Sequence, residues 1–98
     1  DYQMFMEPEI LAECVFVLDS FYEIDRSEIA TLLSRLLQHP GIRSGQMELL
    51  QVSLELFAQT NVDMADCLLA ARSKVQGCAV ATFDKDFKKL GTIDLLEF

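Results

Sequence analysis

The stretch Asn61-Val-Asp-Met-Ala-Asp-Cys-Leu-Leu-Ala-Ala71, continuing to Gly77-Cys-Ala-Val-Ala-Thr-Phe83, leaves the chain least freedom. It spells a helix, a stop and a strand. Asp63 and Asp66 stand three residues apart at the helix start, so their side chains share a face. Gly77 supplies the stop, because glycine enters the left-handed conformation that ends helices. Cys78 to Phe83 then runs without charge and without alternation, the pattern of a parallel strand covered on both faces. Asp84 follows at the carboxyl end of that strand, the edge at which open α/β sheets bind ligands.

The rest of the chain is arranged to serve that unit. Tyr2 to Met6 is a short candidate strand. Glu7-Pro8-Glu9 opens a helix expected to reach about Tyr22, with proline and acids in its first turn. From Ile10 to Leu18 this helix carries one charge, Glu13, and a helix apolar nearly all round is expected to be buried. Glu13 is then either paired, aligned with Glu9 along a solvent stripe, or functional, since a lone buried carboxylate is costly. Asp25 is expected to cap the next helix with Glu28 reaching back. Ile29, Leu32, Leu33, Leu36 and Leu37 form its apolar stripe, and His39-Pro-Gly41 ends it.

Ile42 and Arg43 fit a brief strand or a loop. Ser44 is expected to open a further helix with Met47, Leu50, Leu54, Phe57 and Ala58 on one face, fading at Gln59-Thr-Asn61. Asp84 to Lys89 reads as a polar turn or short helix broken by Gly91, and Thr92 to Leu96 as a last strand. Strands interleaved with helices predict an α/β fold with a small, mostly parallel sheet. Residues 1–98 contain no linker or repeat and read as one domain.

Composition excludes several classes. At 51% hydrophobic residues with 4 Gly and 2 Pro, the chain is not a disordered tail. Charges interrupt every apolar run before membrane-spanning length, and no signal peptide is visible, so a cytoplasmic location is expected. A net charge of −8 argues against a broad basic surface that coats nucleic acid. Five basic residues, Arg72, Lys74, Lys85, Lys88 and Lys89, nevertheless lie beside the acid-bearing unit. Cys14, Cys67 and Cys78 sit among apolar neighbours with no Cys-x-x-Cys pair, and are expected to be reduced and buried. His39, the only histidine, sits in a breaker sequence and is expected in a solvated loop.

Asp63 and Asp66 each have an ordinary explanation, as helix cap and as dipole-favoured acid. Asp84 and Asp86 suit a turn. The conjunction is more telling, because Glu13, Asp66 and Asp84 each adjoin apolar sequence on a different element. Clustered carboxylate oxygens suit hard divalent cations.

Leu11-Ala-Glu-Cys-Val-Phe-Val-Leu18, Val62-Asp-Met-Ala-Asp-Cys-Leu-Leu-Ala-Ala71 and Ala81-Thr-Phe-Asp-Lys-Asp-Phe87, in that order, resemble the PIN-domain family, with VapC-type toxin ribonucleases as the nearest flavour. The resemblance covers nearly the whole chain. It implies a three-layer α/β/α fold and a Mg²⁺- or Mn²⁺-dependent endonuclease acting on RNA. It also implies an antitoxin protein as partner. By motif, Glu13, Asp66 and Asp84 match the family's catalytic acids, and Asp63 is their frequent companion as a further metal ligand. The family's first acid lies on an N-terminal strand, in Asp-Thr-Asn, and no such motif stands here. The chain is therefore expected to be an N-terminally truncated, partial PIN-like domain. Such a domain would cleave poorly until the upstream strand is restored, and would self-associate as a dimer through the apolar surface left open. The alternative is a truncated or degenerate PIN domain acting as a non-catalytic protein-binding module.

Overall fold

A computed structural model describes residues 3–77 and the backbone of two later strands, Val80–Thr82 and Leu95–Glu97. In chain order the elements are β1 (Met4–Phe5), α1 (Pro8–Ser20), α2 (Arg26–Leu37), β2 (Ile42–Arg43), α3 (Met47–Gln59), α4 (Met64–Gln76), β3 (Val80–Thr82) and β4 (Leu95–Glu97). Both strand pairings are parallel. Met4 and Phe5 pair with Ile42 and Arg43, while Val80, Ala81 and Thr82 pair with Leu95, Leu96 and Glu97. The α/β class and the parallel strands agree with the sequence. The described strands form two separate pairs, β1–β2 and β3–β4. Ile42 and Arg43 resolve as a strand because Met4 N–H donates to Gly41 O and Met6 N–H to Arg43 O.

Helix α3 is the centre of the core. It packs most extensively against α4 and α2. Leu49, Leu50, Ser53, Leu54, Leu56 and Phe57 are buried along it. The Ser53 hydroxyl survives this burial by donating to Leu50 O at 2.7 Å. Ala58, assigned to the same face by sequence, is exposed. Helix α2 buries Ile29, Ala30, Leu33 and Leu37, a row at i, i+4 and i+8 with one flanking alanine. Leu32 and Leu36 flank that row and stay exposed, so the buried stripe is narrower than its leucine content suggests.

Three local expectations need correction. Asp25 occupies the N-cap of α2 without a side-chain cap hydrogen bond, so the predicted reciprocal cap with Glu28 does not form. Ser44 does not start α3; its Oγ accepts from Gln46 N–H at 3.0 Å, a serine turn that delivers the chain to Met47. The largest correction concerns α1. Only Pro8, Leu11 and Val15 are buried there, while Ile10, Phe16 and Val17 are exposed, as are Phe21 and Tyr22 beyond its end. Apolar content alone does not bury a helix; a partner must lie on each face. Among the described residues, the main packing of α1 is against α4 and α2.

Candidate functional site

Helix α4 begins as its sequence dictates. Asp63 is the N-cap, in extended backbone conformation, and its Oδ1 accepts from the Asp66 N–H at 3.0 Å. This satisfies one of the amides a helix start leaves open. Asp66 lies in the first turn, where the helix dipole favours negative charge. Gly77 closes the helix at φ 69°, and its N–H returns to Ser73 O at 2.9 Å. Small buried residues, Cys67, Ala70, Ala71 and Ser73, let α4 approach its neighbours closely. The two acids are thus held on one rigid helix end. Asp63 is exposed and Asp66 half-buried.

Asp63 lines a depression of about 270 Å³ together with Ala12, Phe16 and Asp19 of α1, Arg26 of α2 and Phe57 of α3. Glu13 is exposed and lines a different depression, of about 360 Å³, with Ile10, Cys14, Val17, Leu18 and Leu33. The reason is helical geometry. Ala12, Phe16 and Asp19 recur at i, i+4 and i+7 and form one strip of α1, and Glu13 stands one residue off it. Asp84 lies outside the described residues, as do Cys78, Asp86 and Lys85. Among the described residues, no group of three or more His, Cys, Asp or Glu side chains is placed to hold a metal ion. The donor chemistry does fit a hard cation, since Glu13, Asp63, Asp66 and Asp84 offer only oxygen.

Two side chains beside the acids were not singled out from sequence. Asp19 and Arg26 both line the Asp63 depression. Arg26 donates from Nε to Phe57 O at 3.0 Å and from Nη2 to Val62 O, and its guanidinium lies 3.7 Å from the Phe57 ring centroid. Its partners are 31 and 36 residues away, so no local pattern announces them.

Cys67 is fully buried one residue after Asp66. Its Sγ donates to Val62 O at 3.6 Å, and burial pushes the thiol up to about 11. Cys67 and Cys14 are both free thiols, as expected, but Cys14 is only half-buried. His39 sits exposed in its loop, and its Nδ1 accepts from Gly41 N–H at 2.9 Å, a structural role. Among the described residues no helix is long and apolar enough to cross a membrane.

Comparison with known proteins meets this picture from another side. The chain is 24% identical over 90 residues to a VapC ribonuclease of Aquifex aeolicus (strain VF5), an alignment covering 91% of this chain and 67% of that protein. No solved structure matches the chain significantly. The PIN domain model matches residues 1–93, a span that takes in the helix of Glu13, the capped acid pair of α4 and the strand before Asp84. An α/β chain with parallel strands, matched over that length, belongs to the PIN-domain family.

Proposed function

We propose that this protein is a divalent-metal-dependent endoribonuclease of VapC toxin type, held in check by an antitoxin protein in the cytoplasm. The observation that carries the reading is the start of α4, where Asp63 caps the helix through the amide of Asp66 and so presents two carboxylates from one rigid turn. The family match and the similarity to a VapC ribonuclease support it.

Asp66 and Glu13 would hold Mg²⁺ or Mn²⁺, with Asp63 and Asp84 completing the acidic set. The ion, when bound, acidifies water and offsets charge on the attacked phosphate. The protein's own residues have simpler tasks. Asp63 fixes the first turn, so Asp66 keeps its place. Arg72 and Lys74 stand exposed on α4, where cations draw the phosphate backbone toward the acids without selecting bases. Self-association, proposed through the open apolar side of α1, belongs to the same reading. The second reading, a non-catalytic protein-binding module, draws support from Glu13 lying in a depression apart from Asp63.

Cleavage of RNA in Mg²⁺ or Mn²⁺, with and without chelator, separates the two. Chelator is expected to stop cleavage. Asp66→Asn, which keeps the shape and loses the charge, is expected to lower it more than about a hundredfold. Asp63→Asn should be milder, because asparagine caps as well as aspartate. If Asp66→Asn cleaves RNA as fast as the parent, the nuclease reading falls and the binding module replaces it.

A further inference from the structure

The acid-bearing turn is anchored from outside by one side chain. Arg26 is the first residue of α2, yet its guanidinium reaches the last turn of α3 and the link into α4. Phe57 O, its first acceptor, is among the carbonyls that the end of α3 leaves without helical partners. Val62 O, its second, belongs to the peptide unit whose N–H is that of Asp63. A peptide unit is planar, so holding its oxygen holds the plane from which the Asp63 backbone departs. Cys67 Sγ donates to the same oxygen from the far side of the first turn of α4. The guanidinium is itself held by its stack on Phe57, a ring only 2% exposed.

We infer that Arg26 is a positioning residue for the proposed metal site: by bonding Phe57 O and Val62 O while stacked on Phe57, it sets the turn that aims Asp63 and Asp66. This rests on the reading of those acids as site residues. Arg26 touches neither ion nor RNA in this role. Lysine does not replace it, because a compact ammonium has neither the planar fork that serves two carbonyls nor the face that stacks.

The test uses Arg26→Lys and Arg26→Gln with two readouts. The first is hydrogen exchange at the Asp66 amide, which the Asp63 carboxylate protects, with the amide of buried Leu50, bonded to Gln46 O at the start of α3, as the control for general loosening. The second is Mn²⁺ affinity by titration calorimetry, with Asp66→Asn alongside. Exchange at Asp66 is expected to speed up about tenfold while Leu50 holds its parental rate. Mn²⁺ affinity is expected to weaken by about tenfold, the size of effect seen when a supporting contact behind a ligand is lost. Parental exchange at Asp66 in both variants overturns the inference, and so does a rise at Leu50 in step with Asp66 in both. Asp66→Asn binding Mn²⁺ as tightly as the parent overturns the metal reading first and the positioning role with it, so the two failures are distinct.

Discussion

Helices α1 and α4 are each 13 residues long, and each carries an acid of the proposed site, but they are secured in opposite ways. Helix α4 is capped by Asp63, stopped by Gly77 and packed through small residues on the central helix. Helix α1 has no side-chain cap, and it leaves the chain through Glu23, a non-glycine residue at φ 53°. It also keeps its largest apolar side chains outside, Phe16 being 61% exposed. The more apolar helix is thus the less buried one. What buries a helix is a neighbour at close range, and close range favours Ala70 and Ala71 over Phe16 and Ile10. The contrast also bears on the proposed site, because Asp66 follows a side-chain-capped helix start while Glu13 stands on a helix without such a cap.

The sharpest way to break this comparison is to cut each helix where it is held and where it is not. Leu11 is fully buried on α1, and Leu11→Ala is expected to cost about 2–5 kcal/mol in chemical denaturation. Val17 lies on the open side of the same helix, and Val17→Ala is expected to stay within about 0.5 kcal/mol. Phe16→Lys, which gives up only the edge-to-face contact with Phe21, should cost about 1 kcal/mol or less, and if the proposed self-association uses this face it should shift sedimentation toward monomer. Equal losses for Leu11 and Val17 would mean that α1 is covered on both sides.

The two described thiols carry the same comparison into pH. Cys67 on α4 is held up to about 11 from 9.0, mainly by burial, so at pH 8 its thiolate is scarcer by about a hundredfold than that of an ordinary cysteine. Cys14, half-buried on α1, is expected to react first with a thiol reagent. The sign for stability follows. With its folded value raised, Cys67 keeps its proton in the folded state while the unfolded chain loses its own. The contribution is therefore intact below about pH 9 and falls away as pH rises toward 11. Cys67→Ala should flatten that alkaline decline in a denaturation series. A decline that is unchanged in Cys67→Ala would assign it to other groups.

How much of this was legible in the sequence depended on the range of the interaction. The Asp63 cap, the Gly77 stop, the row Ile29, Leu33 and Leu37 and the His39 loop are decided within one or two turns, and all were readable. The family was readable too, because three short motifs keep their order and spacing. The exposure of α1 was not, since periodicity reports how apolar a helix is and not what lies opposite it. Arg26 was missed for the same reason, its partners being more than thirty residues away. Glu13 was placed with Asp63 and Asp66 by motif, while its depression is separate from that of Asp63 among the described residues. Asp84 and Cys78 lie outside them.

The smallest effects should come from the helix ends, and they run in opposite directions. Gly77 sits at φ 69°, and a Cβ added there meets nothing within 4 Å. Gly77→Ala therefore introduces no clash, and its cost is conformational alone, about 1 kcal/mol for an L-residue held in the left-handed region. Glu23 already bears such a cost at φ 53°. Its turn is held by two backbone bonds, Phe21 N–H to Val17 O at 3.0 Å and Ile24 N–H to Leu18 O at 3.1 Å, so the conformation is imposed rather than chosen. Glu23→Gly relieves the steric cost but frees the unfolded chain, which offsets part of the gain. A net stabilisation of about 0.5 kcal/mol or less is expected. Paired urea denaturations of the two variants measure both. If Glu23→Gly destabilises the protein as much as Gly77→Ala does, the Glu23 side chain is making a compensating contact, and the exit of α1 is as firmly held as that of α4.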